Sequence, residues 1–260
     1  MFGFKRRKRE RLRARSFPPA WLEILQRNMA YYRQLSPEDQ AELRGHIQVF
    51  LAEKRFEGCG GQAITDEVRV TIAAQACVLL LHRETDYYPR MRSILVYPHR
   101  YVATHQQRLP DGTVLEGVQT RLGESWHRGP VVLSWDDVLN GAADIHDGHN
   151  VVFHEFAHQL DSEYGANEGA PALPRRSMFI AWARVLGHEY EHLLEDLKQH
   201  RKTFIDAYGA TNPAEFFAVV TETFFEQPVQ LRRRHPELYE QLVAFYQQDS
   251  ASRVRAAGDT

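Results

Sequence analysis

The chain has 260 residues, 43% hydrophobic and 25% charged, with a formal net charge of −2. That is enough chain for a sizeable core, and the balance gives no whole-molecule reason to expect nucleic acid as a partner. Cys59 and Cys77 are the only cysteines, too few for a disulfide framework, and no stretch reaches the ~18 apolar residues of a bilayer span, so a cytoplasmic protein is expected.

The charge is unevenly spread. Residues 2–16, FGFKRRKRERLRARS, hold eight Lys and Arg against one Glu, a net of +7, which leaves the remainder at −9. Such a run reads as a disordered basic arm over residues 1–17, with a weak electrostatic anchor to membrane or nucleic acid as the alternative. No apolar segment of the kind found in a secretory leader follows it. A flexible tail is expected over 250–260, which leaves 18–249 as one compact domain.

Within that domain, 20–34 and 37–55 read as helices, the second opened by Ser36 with Pro37 at its first turn. Gly58, Gly60 and Gly61 break the pattern, and Asp66 opens a third helix to about His82. The middle third is different: 93–98, 101–105, 113–120 and 130–135 are short, β-branched and separated by Pro, Gly or Asp-Gly. They predict a small, mostly antiparallel or mixed sheet. Helices follow at 151–164, with Asn150 as cap, and at 176–203, 213–226 and 236–247. The fold class is therefore α+β, mostly helical.

Two pentapeptides share the pattern H-E-x-x-H: HEFAH at 154–158 and HEYEH at 188–192. Positions i and i+4 lie one turn apart on the same helical face, so two imidazoles can reach one ion and the intervening Glu can act as a base. The surroundings separate the two. HEFAH is flanked by Val151, Val152, Phe153, Phe156, Ala157 and Leu160, apolar on every side, and a helix greasy all round is buried. Two histidines and Glu155 there are costly unless paired or metal-bound, although satisfied core histidines are the plain alternative. In HEYEH, Trp182, Leu186, Leu193 and Leu197 form an apolar stripe that His188 and His192 face away from, as on a solvated amphipathic helix.

A catalytic zinc takes three protein ligands and keeps one position open. Asp161 shares the face of the histidines but stands ~10 Å along the axis from His154, too far to ligate and better suited to positioning them. In YGATNPAEFFAVVTETFFEQP, residues 208–228, Glu215 and Glu222 are two turns apart and cannot both bind one ion. Glu215 lies near the helix start and Glu222 toward an acidic end read as wetter, and spacing leaves the choice open. The strand Val132, Leu133, Ser134 with Trp135, just before the HEFAH helix, reads either as an edge for an extended peptide or as an ordinary core strand.

The runs VVFHEFAHQLD and IDAYGATNPAEFFAVVTETFFEQP together resemble the Mlc titration factor A family, bacterial zinc metallopeptidases of the gluzincin type. The resemblance extends from about Pro18 to Asp249. It implies a zincin-like fold, one zinc ion on His154, His158 and Glu215, and Glu155 as catalytic base. It also implies a role for Tyr208, matching a tyrosine also found in the related catalytic domain of anthrax lethal factor, in stabilising the oxyanion. It further implies aminopeptidase-like cleavage of a peptide substrate and, as in enterobacterial members, binding of a repressor such as Mlc. A binding protein with a structural zinc site is the rival reading.

Overall fold

The computed structural model describes residues 2–108, 114–121, 123–125, 129–163, 168–173 and 175–258. The Asp-Gly turn expected at 111–112 lies outside them.

Where the composition predicts a disordered arm, helix α1 (Phe2–Arg13) forms instead. Its charges are not left to solvent alone: Arg9 is bonded to both Glu53 and Asp86, and Leu12 is buried. The predicted helix over 20–34 is two, α2 (Pro19–Asn28) and α3 (Ala30–Gln34), because buried Met29 adopts an extended conformation between them. Helix α4 (Pro37–Glu53) starts as expected, with Ser36 Oγ accepting from the Asp39 amide at 3.1 Å. Strand β1 (Arg55–Gly58) and helix α5 (Asp66–Val78) follow, the latter capped by Thr65.

Strands β2 (Ser93–Tyr97), β3 (Tyr101–Arg108), β4 (Val114–Arg121), β5 (Gly123–Ser125) and β6 (Val131–Ser134) occupy the middle of the chain. The main sheet has the order β1-β2-β6-β5, with β1, β2 and β6 parallel and only β5 antiparallel. The expectation of a mostly antiparallel sheet is thus corrected, since β3 and β4 pair antiparallel in a sheet of their own. Residue preference marks a strand but not its direction. Direction is set by the connections, and parallel β1 and β2 are joined through α5, the kind of crossover parallel neighbours require.

Helices α6 (Trp135–Ala143), α7 (Val151–Asp161), α8 (Arg176–Lys198), α9 (Pro213–Glu226), α10 (Pro228–Arg234), α11 (Pro236–Tyr246) and α12 (Ser250–Gly258) complete the chain, with a 3-10 turn at Ala207–Ala210 before α9. Helix α12 stands where a flexible tail is expected. It is held by buried Ala251 and by Arg253, which donates to the Tyr31 hydroxyl at 2.8 Å and to Asp39 at 3.3 Å. The centre of the molecule is α7. Phe156 packs on Phe50 of α4 and on Tyr88, while Phe153 packs on Phe225 of α9 and Tyr31 of α3, with ring centroids 4.8 to 6.3 Å apart. This enclosure is the reason HEFAH sits in an apolar run. Among the described residues, no helix is long and apolar enough to cross a membrane.

Candidate metal centre

The start of α7 is fixed by Asn150. Its Oδ1 accepts from the Val152 and Phe153 amides at 3.1 and 3.0 Å, as a helix cap does. Its Nδ2 donates to Gln75 Oε1 and the Gly141 carbonyl, both at 3.0 Å. Gly141 leaves room for this contact, because a Cβ there would stand 3.0 Å from the Asn150 side chain and push it back by a few tenths of an ångström. Gln75, a polar residue in the apolar run of α5, thereby has its Oε1 satisfied, while its Nε2 donates to the Val138 carbonyl at 3.2 Å.

One turn on, His154 and His158 project from the same face of α7, their ring centroids 4.9 Å apart. Helix α9 lies against α7 and brings Glu215 to them from its first turn, which Asn212 caps through the Glu215 amide at 3.0 Å. The Nε2 atoms of His154 and His158 are 3.3 Å apart, and Glu215 Oε2 is 3.0 Å from the first and 3.3 Å from the second. Donors that bind one tetrahedral zinc at ~2.0–2.1 Å stand roughly 3.3 Å from one another, close to the spacing these three atoms have. Two imidazole nitrogens and a carboxylate oxygen are also a donor set of the right chemistry, so the residues fit the ion. Among the described residues HEYEH gathers no such donor set: His188 and His192 are exposed on α8, opposite buried Trp182, Leu186 and Leu193.

The acidic end of α9 departs from expectation. It is not wet: Glu222 and Glu226 are both buried. Glu222 Oε1 lies 2.7 Å from Nδ1 of His154, and its Oε2 accepts from the Asn150 amide at 2.5 Å. Glu226 accepts from the Gly148 amide at 3.0 Å, and burial, reinforced by the charge of Asp147, pushes its carboxyl up to about 9. Glu222 therefore does not compete with Glu215 for an ion. It takes the opposite nitrogen of the same ring, where a carboxylate favours a proton on Nδ1 and so a metal at Nε2 when one is bound. The i, i+7 spacing of the two glutamates carries that signal, but reading the face as solvated hides it.

Electrostatics at the centre are strong. Burial opposes a charge on His154, but the Glu222 carboxylate and the hydrogen bonds to Glu215 and Glu222 outweigh it and hold the pKa well above the ordinary value. Burial would raise Glu215 too, yet its bonds to the two histidines bring it down to about 2. Glu155 is buried on α7 with Oε2 lacking a hydrogen-bond partner, and burial pushes its carboxyl up to about 7. A buried carboxylate with an open lone pair beside a donor triad is equipped to take a proton.

The ring of Tyr208 lies 5.9 Å from that of His154, on the 3-10 turn that Asp206 caps, and is 56% exposed. Asp161 accepts from the Gly169 amide at 2.6 Å. Gly169 has φ +74° and lies so close to the start of α9 that a Cβ would come within 2.3 Å of the Pro213 carbonyl. Asp161 thus anchors a segment that packs beside Glu215. The other expectation is corrected: β6 is bonded to β2 on one side and β5 on the other. Val132, Leu133 and Ser134 are buried within the sheet, with Trp135 opening α6, and they offer no free edge to a peptide.

Residues 4–247 match the family model described as glucose-regulated metallo-peptidase M90. The chain belongs to that family. Similar proteins include an uncharacterised protein of Synechocystis, 47% identical over 234 residues that cover 89% of this chain and 85% of the relative. The Mlc titration factor A of Klebsiella pneumoniae is 34% identical over 227 residues, 86% of this chain and 84% of that protein. The one from Yersinia pestis is 30% identical over 238 residues, 90% and 86% respectively. The M90 match begins inside α1, so the basic segment falls within the family's span.

Proposed function

We propose that this M90 protein is a zinc-dependent peptidase of zincin-like architecture, with the ion held by His154, His158 and Glu215. The observation that carries the reading is the buried Glu155, whose Oε2 has no hydrogen-bond partner, next to three donors already spaced for one tetrahedral ion. A purely structural metal site needs no base.

When bound, zinc would make a water acidic and polarise the carbonyl to be attacked. Glu155, with its carboxyl raised by burial to about 7, takes the proton from the attacking water and passes it to the leaving amine. Glu222 keeps His154 in one tautomer and one orientation throughout. Tyr208 donates to the carbonyl oxygen as it gains charge, a role supported by its ring lying beside His154. The outer strand β5, antiparallel to β6 and packed against α7, supplies the sheet edge that β6 lacks, and an extended peptide pairs there. Aminopeptidase-like specificity is carried over from the family resemblance, and action in the cytoplasm from the sparse cysteines.

A second role, capture of a repressor resembling Mlc, is favoured by the names of the Klebsiella and Yersinia relatives. It is compatible with catalysis. The deciding experiment is peptide turnover by zinc-loaded wild type and Glu155→Gln across a panel of amino-terminal and blocked peptides. Turnover lost in the variant with zinc retained supports a peptidase; zinc-loaded wild type inert on every peptide leaves the binding role alone.

A further inference from the structure

The face of α1 turned away from the fold carries a pattern that the metal centre does not use. Positions 4, 7, 8 and 11 fall within roughly a 100° arc of a helix, and in α1 they hold Phe4, Arg7, Lys8 and Arg11, all exposed. Phe4 is 80% exposed, the most open of the large apolar side chains described. The opposite face is clamped. Arg9 grips Glu53 through two nitrogens at 2.8 and 2.7 Å, reaches Asp86 at 2.6 Å, and stacks over the Tyr87 ring at 4.7 Å. Lys5 joins it on Asp86 at 2.8 Å. Leu12 is buried, and α1 runs so near α4 that a Cβ on Gly45 would touch the Arg13 side chain at 3.4 Å.

This clamp fixes which way α1 faces, so the helix cannot roll to cover Phe4. Arg6 is neutralised by Glu10 one turn on, at 3.0 Å. Arg7, Lys8 and Arg11 form no ion pair among the described residues, although the chain beyond the basic run has a net charge of −9. Acids are plentiful, yet among the described residues none pairs with these three cations.

We propose that the Phe4–Arg7–Lys8–Arg11 face is a docking site for an anionic lipid surface, with the three cations on lipid phosphates and Phe4 in the headgroup–acyl boundary. Charge complementarity calls for a polyanion. The aromatic decides which one: a bilayer offers phosphates with an apolar layer beneath, whereas duplex nucleic acid offers phosphates over bases already stacked. Three cations and one ring give reversible, salt-sensitive docking rather than permanent insertion.

The test uses the full-length protein in co-sedimentation with phosphatidylcholine vesicles, with and without about 30% phosphatidylglycerol, alongside titration of a fluorescent duplex DNA. Binding is expected on the anionic vesicles only and should weaken as salt is raised. Combined Arg7→Ser, Lys8→Ser and Arg11→Ser should weaken it on the order of a hundredfold, and Phe4→Ser about tenfold. All four positions are exposed, so melting temperatures should match wild type and exclude a folding defect. Equal binding to neutral vesicles, no binding to either, or vesicle binding indifferent to Phe4→Ser overturns the proposal. Duplex DNA bound more tightly than anionic vesicles through the same three cations also overturns it and assigns the face to nucleic acid.

Discussion

Glu222 holds the Nδ1 side of His154 at 2.7 Å while Glu215 faces Nε2 of the same ring at 3.0 Å. Two glutamates seven residues apart on α9 therefore divide one imidazole between them. On the proposed reading, Glu215 serves the metal and Glu222 orients the histidine that would bind it. Replacing Glu222 by Gln should leave the fold and the three donors in place but weaken zinc binding by about 10- to 100-fold, the usual cost of losing such a support. Competitive titration with a zinc chelator measures this directly; unchanged affinity would remove Glu222 from the site.

Tyr208 is judged by rate rather than by fold. Tyr208→Phe keeps the ring beside His154 and removes only the hydroxyl, on a side chain that is largely exposed. Turnover should fall about 10²-fold, the scale of one lost oxyanion donor, with the melting temperature and zinc content of wild type. An unaffected kcat would mean that the hydroxyl never meets the substrate.

Asn150→Ala tests the scaffold beneath the centre. It removes the α7 cap, worth about 1–2 kcal/mol, and takes away the donor to the buried Gln75 Oε1. Chemical denaturation should show a loss at or above the upper end of that range. Zinc affinity should stay close to that of wild type, because the group that steadies Glu222 is the backbone amide of residue 150, which the substitution keeps.

The pH dependence of stability should carry a signature of His82. Its Nε2 lies 2.6 Å from Asp39 of α4, and its Nδ1 donates to the Gln247 carbonyl at the end of α11, 3.0 Å away. Burial works against the charged ring, but the hydrogen bonds to Asp39 and to Gln247 prevail, so its pKa is raised above the ordinary 6.5. The folded state thus binds the proton more tightly than the unfolded chain. The stabilisation is complete below pH 6.5 and is lost as pH rises through the higher folded value. Melting temperatures of wild type and His82→Gln from about pH 5 to about pH 9 should converge as the solution becomes alkaline.

What the sequence discloses and what it hides have physical reasons. HEFAH is legible because its geometry is local, two imidazoles on one helix, and because apolar neighbours on all sides announce burial. HEYEH is legible as a solvated copy because Trp182, Leu186 and Leu193 trace a stripe on the other side of α8. Glu222 is not legible, since helical periodicity registers a charged face but not the carboxylate's partners. On α9 those partners are His154 and a backbone amide 68 and 72 residues away. Strand direction is hidden for a related reason: the β-branched run at 131–134 is the same run whether β6 stands at an edge or, as it does, between β2 and β5. The basic segment misleads by composition alone, because Arg9 meets Glu53 and Asp86 only once the chain is folded.

The most direct measurement is zinc stoichiometry in four purified variants, His154→Ala, His158→Ala, Glu215→Ala and Glu222→Ala, each checked for native melting. The account predicts one tightly held zinc per chain in wild type, lost in the first three variants and retained with weaker affinity in Glu222→Ala. Zinc kept by Glu215→Ala but stripped by Glu222→Ala, or no zinc in wild type, would contradict it.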